Sequence, residues 1–379
     1  MITVLFITHE YEEAFGSTKS LLNMIHAVRS SVRPVVLFPH DGALVEKFKR
    51  LGIETIVMPF HTTIVPSKGI KSRLYRLPKI FREKFTNRKT ITQLMPILAD
   101  RHIDLIHTNT GAIELGYYLA KKMGVPHVWH IREFMDLDFS CVPLQGFKHF
   151  RNLAEKSETI SITKAVMGHH GFMDFPRAHQ IYNAIGRSED LMKAPMFPKS
   201  PYFMLCGRLA EGKGVETAIA AFSRFHAKYS DYKLLLVGHI DTDYKARMQT
   251  LIDSSVQEYI EFIDYTENLE QLYQNASALL MCSENEALGR VTVEAMFNGC
   301  PVVGRRSGGT AEIIEDKRTG LLFSSVEDCA ACMEKVIDSR LAESLAENAL
   351  KMASENFTET VFAAQLMHVY QKTLNDYRI

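Results

Sequence analysis

Ala278-Leu279-Leu280-Met281-Cys282-Ser283-Glu284-Asn285-Glu286-Ala287-Leu288-Gly289-Arg290-Val291-Thr292-Val293-Glu294-Ala295-Met296 leads from an apolar run, through a polar loop, into a helical pattern. The run Ala278–Cys282 suits a strand buried on both faces. Gly289 allows the backbone to approach a ligand closely, and the helix start behind it offers free N–H groups and a positive dipole end. Glu286 lies in the loop and Glu294 in the helix, with seven residues between them. The arrangement reads as a phosphate seat flanked by two acceptors suited to sugar hydroxyls. Taken singly, Glu286 is equally a helix-capping acid and Glu294 a surface charge.

The same strand-loop-helix unit recurs outward from this segment. Before it lie the strand-like runs Ile2–Thr8, Pro34–Phe38, Glu54–Met58, Asp104–His107, His127–Ile131, Thr159–Ile162 and His179–Tyr182, with amphipathic stretches at Thr18–Arg29, Thr90–Arg101 and Ile113–Met123. Residues 186–200, charged and proline-bearing, break the pattern and read as a linker. The alternation then restarts with Tyr202–Cys206, Lys233–Val237 and Ile260–Ile263, and continues to Leu321–Phe323. Alternation of this kind implies parallel sheets covered on both faces. The expected architecture is α/β: two doubly wound, Rossmann-like domains, residues 1–185 and 201–356, facing a central cleft. A last helix, residues 357–379, is expected to return to the first domain.

Composition narrows the class. The 379 residues are 46% hydrophobic and 23% charged, with 44 Lys+Arg against 44 Asp+Glu, so no global charge points to nucleic acid. No apolar run approaches the roughly 18 residues of a membrane span. Met1–Ile7 lacks the basic start of a secretory leader and reads as a first buried strand. Six cysteines are too few for a disulfide scaffold, which fits a reducing, cytoplasmic setting. Cys329-Ala330-Ala331-Cys332 has redox spacing, but both cysteines fall on an apolar helical stripe, which favours core packing.

The turns after the strands fit neither of two common phosphate-binding devices. A dinucleotide fingerprint needs G-x-G-x-x-G. His9–Ser17 carries a single glycine and Gly207-Arg208-Leu209-Ala210-Glu211-Gly212-Lys213-Gly214 lacks the spacing. The latter is a near miss to the P-loop, but Gly214 stands where the metal-binding hydroxyl belongs. What remains is a turn with two cations, Arg208 and Lys213, suited to a diphosphate or simply solvated.

With these motifs together, the chain resembles the retaining glycosyltransferases of family four, which have the GT-B fold and an E-x7-E motif. The resemblance rests on Gly16-Ser17, His107-Thr108-Asn109-Thr110, His130-Ile131-Arg132-Glu133, Ile181-Tyr182-Asn183, the Gly207–Gly214 loop, Glu286–Met296 and Gly308-Gly309-Thr310. The family's usual paired glycines are Phe15-Gly16 here. The resemblance implies that Arg208 and Lys213 hold the diphosphate of a nucleotide sugar, with UDP favoured. Leu288 and Gly289 would contribute backbone amides, Glu286 would bind donor-sugar hydroxyls, and Glu294 the ribose. His130 would position the sugar near the reacting carbon. Glu10, Gly16, Asn109, Arg132 and Glu133 are the acceptor-side candidates. The implied reaction is hexose transfer to a lipid-linked or saccharide acceptor, with no cofactor and no metal. A non-catalytic sugar-nucleotide-binding protein and a nucleotide-sugar epimerase are the alternatives. Asp241-Thr242-Asp243 matches a metal-binding D-x-D signature of another glycosyltransferase fold, but at a helix start it reads as a cap.

Lys68–Lys89 holds nine Lys/Arg against one acid, Glu83. Leu74, Leu77, Phe81 and Phe85 share one helical face, with Pro78 expected to kink or interrupt it. A basic amphipathic segment of this type suits an anionic membrane surface, which makes peripheral association with the cytoplasmic membrane face a further expectation. The alternative is a solvated loop packed on the first domain.

Overall fold

A computed structural model describes residues 1–12, 16–67, 76–191, 194–264, 266 and 268–377. Phe15, Lys68 and Leu74, named above, lie outside the described residues. The chain forms two compact units, Met1–Ala184 with Glu359–Ile379, and Ile185–Thr358.

The first unit contains β1 (Ile2–Ile7), β2 (Val32–Phe38), β3 (Glu54–Val57), β4 (Ile64–Pro66), β5 (Leu105–Thr108), β6 (His127–Ile131), β7 (Cys141–Pro143), β8 (Glu158–Ser161) and β9 (Ala178–Gln180). Seven strands make a parallel sheet in the order β3-β2-β1-β5-β6-β8-β9. Successive residues of β1 explain why helices must cover both faces. Val4 and Phe6 pack with Leu21, Ile25, Leu366 and Tyr370, whereas Leu5 and Ile7 pack with Leu94, Leu98 and Leu119. Opposite faces of one strand therefore feed separate apolar clusters, the period-2 consequence of the pleat. The last helix, Glu359–Tyr377, contributes Phe362, Leu366, Val369 and Tyr370 to the first cluster.

Two features depart from expectation. β4 and β7 form an antiparallel two-stranded ribbon. Its three-residue strands are too short to show a period. The helix Arg76–Ala99 starts two residues before Pro78, and the part of the expected face at Leu74 lies outside the described residues. Pro78 falls in the first turn, where a missing N–H costs no helical bond.

The second unit contains β10 (Ser200–Cys206), β11 (Lys233–Val237), β12 (Ile260–Ile263), β13 (Ala276–Met281), β14 (Val302–Arg305) and β15 (Leu321–Phe323). All pair in parallel, in the order β12-β11-β10-β13-β14-β15. This is the doubly wound order whose winding reverses between β10 and β13, and ligands of such sheets bind outside the strand C-termini at that reversal. The described residues of 186–200 fall within this unit. Gly186 bridges to Thr358, and Lys199 Nζ donates to the Gln274 and Gly299 carbonyls. Cys329 and Cys332 lie buried on the helix Val326–Val336, inside the unit's core. The Cys329 thiol is raised well above its ordinary range by its bond to Cys282 and by burial, and burial pushes Cys332 up to about 11. Neither is a low-pKa redox thiol.

Candidate functional site

The loops that follow β10 and β13 meet at the reversal point. Gly214 ends the first loop with φ +74, and a Cβ there would come within 2.2 Å of the Cys282 carbonyl oxygen. Only glycine lets this loop lie on the end of β13. The Glu284 N–H donates to the Gly212 carbonyl at 3.0 Å, tying the two loops together. From this scaffold Lys213 Nζ reaches Glu286 Oε2 at 2.9 Å. Arg208 is exposed and lines a hollow of about 500 Å³ with Glu211, His239, Asp241, Tyr244 and Arg247.

Gly289, buried and at φ +88, precedes the helix Arg290–Phe297, and no side chain caps that helix. Leu288 beside it is buried. A third segment closes the seat from behind. Gly309 N–H donates to the Glu286 carbonyl at 2.7 Å, and a Cβ on Gly309 would stand 2.5 Å from the Ala287 oxygen. Glu294 is engaged by Arg290, whose Nη2 lies 3.3 Å from Glu294 Oε1. Arg290 was not anticipated, although its i,i+4 spacing from Glu294 was readable. Thr292 was also not anticipated, and Thr310 carried no role beyond its motif. Both are fully buried, and neither Oγ1 has a hydrogen-bond partner among the described residues.

Asp241 caps the helix Thr242–Thr250: its Oδ1 accepts the N–H groups of Asp243 at 3.0 Å and Tyr244 at 3.4 Å. The D-x-D match is thus a cap, as its position at a helix start implied. Among the described residues no group of three or more His, Cys, Asp or Glu is disposed to hold a metal ion.

In the first unit, winding reverses between β1 and β5, and the candidates gather on the loops after β1, β5 and β6. Arg132 organises them. Its Nε donates to Asn109 Oδ1 at 3.0 Å, its Nη1 to Asn183 Oδ1, and its Nη2 lies 3.3 Å from His130 Nδ1. His130 is fully buried, and its Nδ1 also lies 3.3 Å from His107 Nε2. Burial, then the charge of Arg132, holds both His107 and His130 well below the ordinary imidazole range. Glu133 turns inward, accepting from Thr110 Oγ1 at 2.5 Å and from the Arg132 N–H at 3.0 Å. Burial raises it to about 7. Glu10 stays partly exposed and accepts from Thr18 Oγ1 at 3.3 Å. Gly16 begins the helix Gly16–Val28.

The fold is the GT-B architecture of solved glycosyltransferase structures. The solved structure of Anabaena Alr3699/HepE in complex with UDP aligns with a TM-score of 0.79 at 21% identity, covering 98% of this chain and 100% of that one. The same protein with UDP-glucose aligns at a TM-score of 0.76 and 20% identity, over 98% and 100% of the two chains. At the level of families, residues 187–352 match the model described as Glycosyl transferases group 1. The N-acetyl-alpha-D-glucosaminyl L-malate synthase of Bacillus anthracis is 29% identical over 168 residues, 43% of each chain. The UDP-N-acetylglucosamine–peptide N-acetylglucosaminyltransferase GtfA subunit of Streptococcus gordonii is 25% identical over 320 residues, 78% of this chain and 61% of that protein. The matched stretch thus spans less than half of the first relative and about three fifths of the second.

Proposed function

We propose that this chain is a retaining, metal-independent glycosyltransferase. It moves a hexose from a nucleotide-diphosphate sugar, with UDP as the favoured nucleotide, to a lipid-linked or saccharide acceptor in surface polysaccharide or glycolipid synthesis. The observation that carries this reading is the meeting of Lys213 and Glu286 where the second sheet reverses its winding. A cation and a carboxylate side by side suit the two ends of the bond to be broken, diphosphate on one side and sugar hydroxyls on the other. UDP in the HepE structures supports the choice of nucleotide.

In this reading Arg208 and Lys213 take the diphosphate, the amides of Leu288 and Gly289 add to them, Glu286 binds sugar hydroxyls, and Glu294 binds the ribose. As the C1–O bond to the phosphate breaks, negative charge grows on the leaving group. Fixed cations and helix amides stabilise that charge with little reorganisation. The acceptor oxygen bonds to C1 from the same face, and the departing phosphate oxygen takes its proton. His130 positions the sugar; Glu10, Gly16, Asn109, Arg132 and Glu133 serve the acceptor side. Asp241, occupied as a cap, supports metal independence.

Contact with an anionic membrane on the cytoplasmic side belongs to the same proposal. The first half of the helix Arg76–Ala99 supports it by the apolar side chains it exposes. Leu77, Phe81 and Phe85 are 66%, 74% and 75% exposed among the exposed Arg82, Lys84, Arg88 and Lys89, while Glu83, Asn87 and Thr90 are buried. Lys79 is held by the Ile64 carbonyl at 2.8 Å. Among the described residues no helix is long and apolar enough to cross a membrane.

The decisive experiment is a thermal-shift screen of UDP, GDP, ADP and dTDP, followed by hydrolysis of UDP-sugars. UDP at 100 times its dissociation constant is expected to add about 2.7 kcal/mol. No shift with any nucleotide would overturn the reading. Epimerised sugar nucleotide formed without an acceptor would reassign the chain to epimerisation, and UDP binding without any turnover to a binding protein.

A further inference from the structure

Tyr370 Oη lies 2.7 Å from His107 Nδ1, within a buried cluster that also holds His130 and Phe362. The direction of every hydrogen bond in this cluster is set by one residue. A guanidinium only donates, so the 3.3 Å contact between Arg132 Nη2 and His130 Nδ1 requires Nδ1 to accept. A neutral imidazole that accepts at Nδ1 carries its proton on Nε2. His107 Nε2, 3.3 Å from the same Nδ1, must then be the donor. That leaves His107 Nδ1 as acceptor for the Tyr370 hydroxyl. The reverse order, with His107 Nδ1 donating to Tyr370, would need a proton on His130 Nδ1, facing Arg132.

We infer that Tyr370 is a positioning residue: acting through His107, it fixes the His130 ring in the neutral tautomer that carries its proton on Nε2. Phe362, from the same helix, stacks on the His130 ring with an interplanar angle of 14°. The outcome is an N–H donor at the C-terminal end of β6, the edge where doubly wound sheets bind ligands. His130 Nε2 is buried and has no hydrogen-bond partner among the described residues. An unsatisfied buried donor is costly and marks a place where a partner is missing. The missing partner is an oxygen acceptor, which in the glycosyltransferase reading belongs to a bound substrate. This last step rests on that reading; the tautomer does not. The last helix thus acts on the site through hydrogen-bond direction, from 263 residues away in sequence.

The test is long-range proton–nitrogen correlation of the histidine rings in the full-length, ¹⁵N-labelled protein, with signals assigned by their loss in His107→Gln and His130→Gln. The wild type is expected to show His130 neutral between about pH 6 and 8, protonated on Nε2 and bare on Nδ1. Tyr370→Phe keeps the packing but removes the hydroxyl donor. It should let His107 and His130 populate the other tautomer and lower kcat/KM for UDP-sugar hydrolysis by about fivefold or more, with the Kd for UDP unchanged. His130→Gln, which sets an amide N–H near the position of Nε2, should retain more activity than His130→Asn. A wild-type His130 protonated on Nδ1 would overturn the inference. So would a Tyr370→Phe protein with unchanged tautomers and kinetics. If Tyr370→Phe does not fold, the wild-type spectrum decides. The expected tautomer in a protein that neither binds UDP nor hydrolyses donor would uphold the relay and refute the glycosyltransferase reading.

Discussion

Lys213 Nζ and Glu286 Oε2, 73 residues apart in sequence, stand 2.9 Å from one another at the reversal of the second sheet. Their side chains are 41% and 19% exposed, so the pair contributes roughly 0–1 kcal/mol to folding. In the proposed reaction each has another partner, diphosphate for Lys213 and sugar hydroxyls for Glu286. Donor binding therefore exchanges one ion pair for two new contacts.

Glu286→Gln releases Lys213 while keeping the shape of the side chain. UDP is expected to bind this variant as tightly as the wild type or more tightly, while UDP-sugar hydrolysis falls by about tenfold or more. The melting temperature should barely move. Calorimetric titration with UDP, beside hydrolysis kinetics, checks both halves. Equal losses of UDP affinity and turnover would show that Glu286 does not act on the sugar.

Gly309→Ala tests the backing of the seat. Its Cβ would meet the Ala287 carbonyl at 2.5 Å and the Leu288 Cα at 2.8 Å, both backbone atoms that cannot rotate aside. The loop holding Glu286 and Leu288 must shift, at a cost of about 1–3 kcal/mol in stability. Chemical denaturation and UDP titration should report both the loss of stability and weaker binding. An unchanged UDP affinity would detach this loop from donor binding.

In the proposed reaction Arg208 and Lys213 supply the charge a metal would otherwise bring, so transfer or donor hydrolysis should persist in EDTA. Activity abolished by EDTA and restored by Mn²⁺ would sink metal independence.

A pH effect on stability is expected from Glu83. Burial, and next the charge of Glu114, raises it to about 7 from an ordinary 4.5. A carboxyl whose folded pKa lies above its unfolded value stabilises fully below about 4.5, and that stability is lost as pH rises to about 7. Buried neutral histidines oppose this trend: burial lowers His127 to about 3 and His170 to about 4, so they lose stability as pH falls. The wild-type curve mixes both signs, and the diagnostic quantity is a difference. Glu83→Gln retains an acceptor for Asn87 Nδ2 and should be more stable than wild type on the order of 1 kcal/mol at about pH 8, with no gain near pH 4.5. Parallel unfolding curves at the two pH values measure it.

Membrane contact is tested by sedimentation with anionic and neutral vesicles. The triple change Leu77→Ser, Phe81→Ser, Phe85→Ser should weaken binding to anionic vesicles without lowering the melting temperature, because all three side chains are exposed. Serine at Arg82, Lys84, Arg88 and Lys89 should remove about 1 kcal/mol per residue near the lipid, and salt should weaken wild-type binding. Indifference to lipid charge would count against this surface.

The alternation of strands and helices was legible in the sequence, because β1, β11 and β13 are mostly apolar runs followed by turns rich in polar residues and glycine. So were the Glu286–Glu294 spacing, a loop residue and a helix residue eight positions apart, and the cap at Asp241, which is settled within one turn of helix. Only the tertiary structure decided what meets what. Strand order is fixed by long-range burial, and that order carried Lys213 to Glu286, Arg132 to Asn109 and Asn183, and Tyr370 to His107. The helix Arg76–Ala99 shows the limit most plainly. Periodicity marked Leu77, Phe81 and Phe85 as one face but could not say whether that face turned inward. The His61 N–H donates to Asn87 Oδ1, and Asn87 Nδ2 donates to the His61 carbonyl and to Glu83, so the buried face is polar in this first half, turns apolar at Leu94 and Leu98, and leaves Leu77, Phe81 and Phe85 in solvent.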